Sequence, residues 1–205
     1  MFAKSNRFYA DWCDGRGARR RKAFTTPEAA IAHEESEKAA SHEMRKNSRA
    51  LRKRLSHYDK AGEAHMVDVS AKAATRREAV AEAFVELNEA VLGALPKNPK
   101  GNPLEVARFA GIQAAKQTAA LIPMCHPLPL SFVDVEATVV ARGVRIRATA
   151  ATTAGTGVEM EAMVAASIAA LTVYDMTKAL DKGIRIREVA LVSKSGGKSG
   201  EWRRG

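Results

Sequence analysis

The amino-acid sequence predicts an α+β protein in which helices cover one face of an antiparallel sheet, preceded by a small basic appendage. The order of elements after residue 56 is a strand, helices, a hairpin, a long helix and a strand, and this order indicates an antiparallel sheet with helices on one side. The charge divides near Leu55. Residues 1–55 hold 14 Lys and Arg against 7 Asp and Glu, a net charge of +7, whereas residues 56–205 hold 19 against 16, a net charge of +3. We therefore predict an appendage at residues 1–55 and a main domain at residues 56–205.

The composition is that of a globular protein and excludes several other classes. Of the 205 residues, 46% are hydrophobic and 27% are charged, which is enough apolar material for a buried core. The longest apolar run, residues 162–173, has 12 residues; this is too short to cross a bilayer, and the first charges are not followed by a signal peptide. Cys13 and Cys125 are the only cysteines, too few for a disulfide scaffold or a four-cysteine metal site. We expect a cytoplasmic protein that does not contact membranes.

The appendage has the pattern of a basic hairpin followed by a helix. Residues 8–12 alternate like a strand, residues 14–17 are typical of a hairpin turn, and residues 19–24 return as a strand with three arginines and a lysine. Thr26 is expected to cap a helix that begins at Pro27 and extends through the charged stretch to residue 54. The pattern resembles the small arm-binding module of phage-type tyrosine recombinases, although no recombinase catalytic signature follows. The appendage is either a solvated basic extension or a nucleic-acid-binding segment that contacts phosphates.

The first half of the main domain is predicted to contain two strands and two helices. Residues 66–70 and 79–87 have the pattern of strands, the second with small apolar and acidic residues in alternation. Asn88 is expected to cap a short helix that ends near Pro96. After a loop, Asn102 and Pro103 begin a longer helix that reaches about Leu121.

The second half begins with a segment that cannot be helical. Residues 122–129 contain three prolines, which favour an extended conformation and fix the positions of Cys125 and His126. Residues 132–140 and 144–150 alternate around a turn, as in an antiparallel hairpin. Residues 157–181 are predicted to form a long alanine-rich helix, and residues 184–192 the final strand.

Two pairs of charged residues lie on the long helix. Asp175 and Lys178 are three residues apart and share one face, so they form either a routine surface ion pair or an acid–base pair. Glu159 and Glu161 lie near the start of the helix, where the macrodipole stabilises anions. Cys125 and His126 point in opposite directions from an extended chain, which argues against a shared metal.

The glycine-rich segment at residues 194–200 is not a phosphate-binding P-loop. Val192 occupies the position of the required leading glycine, and too few residues follow for the helix that such a loop precedes. The segment is either a disordered tail or, because of its two lysines, a mobile cationic flap over phosphates.

Six strings in order resemble the cyclic pyranopterin monophosphate synthase (MoaC) family of molybdenum cofactor biosynthesis over roughly residues 56–203. They are HMVDVS at 65–70, AGIQAAK at 110–116, IPMCHPL at 122–128, TGVEMEA at 156–162, YDM at 174–176 and KSGGKSG at 194–200. The resemblance implies a lyase that converts 3',8-cyclo-7,8-dihydroguanosine triphosphate into cyclic pyranopterin monophosphate and releases pyrophosphate. It also implies a ferredoxin-like α+β fold and a homohexamer, a trimer of dimers with the site across each dimer interface.

Carried over position by position, the resemblance assigns roles to individual residues. It implies that Asp175 and Lys178 are the central acid–base pair and that Lys100 and His126 are the other catalytic residues. It further implies substrate contacts from Met124, Cys125, His126, Met160 and Glu161, and cationic positions suited to a triphosphate at Arg77, Lys116, Lys194 and Lys198. No metal held by the protein itself is implied, and Mg²⁺ is expected only with the substrate triphosphate. Nucleic-acid binding by residues 1–55 remains the alternative function.

Three positions depart from the family pattern. Asn102 replaces an aspartate, which preserves helix capping but changes the local charge. Gly155 replaces a lysine and removes a cation from the expected phosphate neighbourhood. Thr177 stands where a cysteine is common, which indicates a change in packing.

Overall fold

The chain folds into two compact units, Met1–Val67 and Asp68–Gly205. The structure is a computed structural model, and it describes residues 2–4, 7–14, 17–54, 57–59 and 61–205. The predicted boundary near Leu55 falls on a residue outside the described ranges.

The first unit is a three-stranded antiparallel sheet with one long helix. Its elements are β1 (Phe2–Lys4), β2 (Arg7–Cys13), β3 (Arg19–Phe24) and α1 (Pro27–Arg54), and the strand order is β1-β2-β3. Thr26 caps α1, because its hydroxyl accepts the Ala29 amide at 3.3 Å. The predicted pair of strands and the helix are confirmed, whereas the predicted turn includes residues 15 and 16, which lie outside the described ranges. β1 is not predicted from the sequence, since three residues are too few to show an alternating pattern.

Small and aromatic side chains hold α1 against this sheet. Ala10 of β2 and Ala30 of α1 are completely buried. The His33 ring packs edge-on against Trp12 at 5.0 Å between centroids and lies 5.1 Å from the ring of Phe24. The helix therefore covers one face of the sheet through contacts with both β2 and β3.

The second unit is a five-stranded antiparallel sheet with its helices packed against it, as predicted. In chain order its elements are β4 (Thr75–Glu86), α2 (Glu89–Ala94), a single 3₁₀ turn (Leu95–Lys97), α3 (Pro103–Lys116), α4 (Thr118–Leu121), β5 (Leu130–Val140), β6 (Gly143–Ala154), α5 (Glu159–Thr177), β7 (Arg185–Ser195) and β8 (Trp202–Arg203). The strand order is β5-β6-β4-β7-β8. Within the described part of the chain, no helix is both long and apolar enough to span a membrane.

The core of this unit lies between α5 and the sheet. Alternate residues of the two central strands are buried beneath the helix: Ala79, Ala81, Ala83 and Val85 of β4, and Val144, Ile146, Ala148 and Ala150 of β6. α3 packs on α5 at Gly111, where a Cβ atom would lie 2.9 Å from the Ala165 carbonyl oxygen and 3.2 Å from the Ala169 Cβ. Small side chains thus allow a close approach between the two helices and between α5 and the sheet.

Several predicted boundaries differ from the structure. Residues 66–70 form no strand; instead the Asp68 carboxylate accepts the Ser70 amide at 2.8 Å, a local bond that competes with strand pairing. The helix predicted to reach Leu121 breaks at Gln117. α5 is shorter than residues 157–181, and β8 follows the strand that was predicted to be the last.

The departures at Asn102 and Thr177 have simple structural roles. The Asn102 side chain caps α3 by accepting the Leu104 amide at 3.0 Å. Thr177 is fully buried, and its hydroxyl donates to the Val173 carbonyl at 2.6 Å. The predicted capping by Asn102 is confirmed, whereas a change in packing relative to a cysteine at position 177 stays a prediction.

Candidate active site

The first group of predicted site residues lies at the C-terminal end of α5. We call Lys100, Asp175 and Lys178 the Lys178 cluster. Lys178 Nζ donates to Asp175 Oδ1 at 2.5 Å, and Lys100 Nζ donates to the Asp175 backbone carbonyl at 3.3 Å. About half of each side chain of the ion pair is exposed, so a substrate can reach both groups.

The charges in the Lys178 cluster reinforce one another. The hydrogen bond from Lys178, its charge and the charge of Lys100 all lower the pKa of the Asp175 carboxyl below its usual value. The same hydrogen bond and the Asp175 charge raise the pKa of Lys178. At neutral pH the pair is therefore a carboxylate and an ammonium, in which Lys178 holds a proton that it can donate.

The second group lies at the opposite, N-terminal end of α5. We call Arg77, Glu159 and Lys194 the Lys194 cluster. Lys194 Nζ donates to Glu159 Oε1 at 2.7 Å, which ties β7 to the start of the helix. Arg77 Nε donates to the Ala154 carbonyl at 2.9 Å. Partial burial favours a higher pKa of Glu159, but the hydrogen bond from Lys194 and the charges of Lys194 and Arg77 outweigh it, so that this pKa is lowered.

The glycine-rich segment closes over the Arg77 guanidinium. Gly197 has a φ of 71°, and a Cβ atom there would lie 2.1 Å from Arg77 Nη1. A larger residue at this position would displace the guanidinium. The segment at residues 194–200, predicted to be a tail or a cationic flap, therefore contacts Arg77 of the Lys194 cluster through Gly197.

Three further predicted site residues interact with neighbours: Glu161 with Cys125, and His126 with Asp68, which was not predicted as a site residue. Glu161 is 4% exposed; burial raises the pKa of its carboxyl, and the charge of Glu159 raises it further. Burial, followed by the charge of Glu161, raises the pKa of the Cys125 thiol, so Cys125 is protonated at neutral pH. Asp68 is close enough to His126 for the imidazole charge to lower the pKa of Asp68, after the larger effects of the Ser70 hydrogen bonds.

The remaining predicted residues have no hydrogen bond to either cluster among the described residues. Lys116 and Lys198 are exposed, Met124 is half-buried, and Met160 is 39% exposed. The start of α3 follows Lys100 in the chain, and Gly111 meets the middle of α5. The two helices therefore run antiparallel, which directs Lys116 towards the end of α5 that carries the Lys194 cluster.

The two clusters are far apart within one chain. Glu159 and Asp175 are separated by sixteen residues of continuous helix, a distance of about 24 Å at 1.5 Å per residue. The structure thus brings Lys100 together with Asp175 and Lys178, and Arg77 together with Lys194, but it does not bring the two sets together in a single chain.

Lys72 is a candidate site residue that the sequence analysis did not select. At Gly155, where the family resemblance leads us to expect a lysine, a Cβ atom would lie 3.3 Å from the Lys72 Cβ and 3.2 Å from the Val69 carbonyl oxygen. The turn that carries Lys72 therefore packs directly against Gly155, and it places another lysine beside this position. The only signal in the sequence was that Lys72 follows the HMVDVS string by two residues.

Comparisons with known proteins cover most of the second unit. A model of the MoaC family matches residues 66–197. Relatives named cyclic pyranopterin monophosphate synthase include proteins from Nostoc sp., 57% identical over 152 residues that cover 72% of this chain and 90% of the relative, and from Novosphingobium aromaticivorans, 52% identical over 151 residues that cover 73% and 96%. A relative of the same name from Staphylococcus aureus is 51% identical over 157 residues, which cover 73% of this chain and 96% of the relative.

The comparisons do not support the nucleic-acid alternative, since the family match begins at residue 66. In the structure, the arginines of β3 also have acidic partners within their own unit. Arg19 and Arg21 donate to Asp11, and Arg20 donates to Asp14. Part of the charge that suggested phosphate binding is therefore neutralised locally.

Proposed function

Because this chain belongs to the MoaC family, we propose that its two clusters together catalyse the cyclic pyranopterin monophosphate synthase reaction. In this step of molybdenum cofactor biosynthesis, 3',8-cyclo-7,8-dihydroguanosine triphosphate is converted into cyclic pyranopterin monophosphate and pyrophosphate is released. The observation that carries the proposal is the Lys178 cluster, where a carboxylate and two ammonium groups meet at an accessible helix end.

The Lys178 cluster supplies the acid–base chemistry. Opening the purine ring and reclosing it as a pterin moves protons at each step, which positioned acids and bases accelerate. Lys178, with its raised pKa, is the proton donor, and Asp175, with its lowered pKa, orients Lys178 and accepts hydrogen bonds. The contact with Asp175 raises the pKa of Lys178 in the free protein, so Lys178 enters the reaction protonated, as a proton donor must.

The Lys194 cluster is suited to the triphosphate. Arg77 and Lys194 are cations on adjacent strands, and Lys72 and Lys198 extend the positive charge around Gly155 and Gly197. When a ribose hydroxyl attacks the phosphoryl group and pyrophosphate leaves, these cations would stabilise the developing negative charge. Triphosphate oxygens would then replace Glu159 as partners of Lys194.

One complete site requires both clusters, and a symmetric dimer would bring them together. Between Glu161 and Asp175, α5 has no charged residue. The accessible face of the helix instead carries large apolar side chains, of which Met160 is 39% exposed and Leu171 is 51% exposed. Such an uncharged exposed stripe indicates a face that a partner covers. Two copies of α5 packed antiparallel about Ser167, which is equidistant in sequence from Glu159 and Asp175, would place the Lys194 cluster of one subunit beside the Lys178 cluster of the other.

The finer assembly and the metal remain predictions that follow from the family resemblance. A trimer of such dimers would form the expected homohexamer. Mg²⁺ would bind as part of the substrate, because phosphate oxygens are ligands that this cation prefers.

The test is turnover by the purified full chain with the cyclic triphosphate supplied directly. We expect pyrophosphate and cyclic pyranopterin monophosphate to form in equal amounts. Absence of both products from folded, assembled protein would contradict the proposed function.

A further inference from the structure

Asn98 bridges the turn that carries Lys100 and the last turn of α5. Its Oδ1 accepts the Lys100 backbone amide at 2.9 Å, and its Nδ2 donates to the Met176 carbonyl at 2.8 Å. Both ends of one short carboxamide are therefore bonded, one to each side of the Lys178 cluster.

The backbone around Asn98 forms a tight turn. The Gly101 amide donates to the Asn98 carbonyl at 3.1 Å, Pro99 lies at the second position, and Gly101 has a φ of 95°. An asparagine that opens such a turn commonly bonds its own backbone two residues later. The bond to Met176 has no part in that local pattern, since it reaches 78 residues along the chain.

The lysine alone is a weak tether between the turn and the helix. Lys100 Nζ reaches the Asp175 carbonyl at 3.3 Å from an exposed side chain, and a flexible four-carbon stem loses much conformational freedom when it is held in one place. The Asn98 carboxamide is shorter, less exposed and bonded to the backbone on both sides. It fixes where the lysine stem begins.

We propose that Asn98 is a positioning residue that holds Lys100 at the C-terminal end of α5, ready to act with Asp175 and Lys178. This inference rests on the proposed function, because it assigns Asn98 to the same site. Asn98 acts through Lys100 and needs no contact with the substrate. The alternative is a purely structural role, in which Asn98 only satisfies a carbonyl at the end of α5. Removal of the Asn98 side chain would then lower the stability of the protein, and this effect would not depend on whether Lys100 is present.

The experiment compares Asn98→Ala with Asn88→Ala in the full chain. Asn88 is a matched control: its Oδ1 accepts the Val91 amide at 2.9 Å and its Nδ2 donates to Asp181 Oδ2 at 2.9 Å, and neither partner belongs to the Lys178 cluster. Both variants should lower the melting temperature by similar amounts. Only Asn98→Ala should lower kcat, by roughly 10- to 100-fold as expected for a misplaced catalytic group, with KM changed much less.

A double-mutant cycle then tests whether Asn98 acts through Lys100. In the Lys100→Ala background, Asn98→Ala should cause no further loss of kcat. Equal kcat values for Asn98→Ala and Asn88→Ala, or a full additional loss in the Lys100→Ala background, would overturn the inference. An inactive wild-type protein would instead contradict the proposed function. If Asn98→Ala does not fold, the same comparison is made with Asn98→Asp, which keeps the acceptor for the Lys100 amide and removes the donor to Met176.

Discussion

At the scale of single residues, one ion-pair spacing has different consequences in two helices of the described chain. Asp175 and Lys178 are paired three residues apart on α5, and Glu105 and Arg108 are paired three residues apart on α3. Both pairs are about half exposed, so neither contributes much to stability. What distinguishes the first pair is the second cation, Lys100, which the turn at residues 98–101 brings to the Asp175 carbonyl.

We therefore predict that Lys178→Ala and Asp175→Asn each reduce kcat strongly and change the melting temperature little. The loss should be roughly 10²- to 10⁴-fold, the usual value of a positioned acid or base. The assay is pyrophosphate release, with Glu105→Gln as the control from the equivalent surface pair. Near-normal rates in both α5 variants would contradict the assignment.

Glu161 offers a prediction about pH. Its carboxyl is buried and its pKa is raised, so the folded state favours the protonated form. This contribution to stability is present below the usual glutamic acid pKa of 4.5 and is lost as the pH rises through the raised value.

We expect Glu161→Gln to raise the melting temperature at about pH 8 and to raise it less at about pH 4. The amide resembles the protonated acid and carries no charge to bury. Thermal unfolding of both proteins across the pH range measures the difference. An equal shift at the two pH values would show that the gain does not come from the charge.

At the scale of helices and strands, the sequence predicts the elements whose ends are marked by nearby residues. Asn88 and Asn102 cap α2 and α3 as expected, because a side chain that bonds an amide two or three residues later leaves its mark in the nearby sequence. The strand predicted at residues 66–70 was wrong, since the Asp68 side chain bonds the Ser70 amide and no strand among the described residues pairs with this segment. Alternation alone does not reveal whether a partner strand exists.

The packing of α3 on α5 gives a prediction with two opposing effects. Replacing glycine by alanine inside a helix normally stabilises it by about 1 kcal/mol. At Gly111, however, the new Cβ would lie 2.9 Å from the Ala165 carbonyl oxygen, and overpacking costs about 1–3 kcal/mol. Gly111→Ala should therefore lower the free energy of unfolding.

The matched control is Gly93→Ala on α2, where a Cβ would meet nothing within 4 Å. This variant should be more stable than the wild type by about 1 kcal/mol. Denaturant unfolding measures both changes. A gain in stability from Gly111→Ala would show that the two helices can separate at little cost.

At the scale of the whole molecule, the predicted helix at residues 157–181 already separates Glu159 from Asp175, but the side chains that gather at each end of this helix could not be predicted from local sequence. The motif strings indicated Lys194 and Asp175 separately. Only the structure shows that Lys194 of β7 bonds Glu159 and that Lys100 reaches Asp175, about 24 Å further along α5. The same limit applied to Asn98, whose bond to Met176 crosses 78 residues.

The first unit should not be needed for catalysis. About three quarters of this chain covers 90–96% of the relatives, and the family match begins at residue 66. We predict that deletion of residues 1–55 leaves kcat and the oligomeric state unchanged, as measured by turnover and light scattering. Loss of activity together with loss of the oligomer would assign this unit a role in assembly.

The most direct measurement is activity in an equal mixture of two inactive variants, Lys178→Ala and Lys194→Ala, after verified subunit exchange. If each site takes the Lys178 cluster from one subunit and the Lys194 cluster from the other, every mixed dimer has one intact site. Random exchange should then restore about a quarter of the wild-type activity. A control mixture of Lys178→Ala with Lys100→Ala should show only the residual activity of the two variants, because these residues belong to the same cluster of one chain. Recovery in the control mixture, or none in the first, would contradict a site built from opposite ends of two α5 helices.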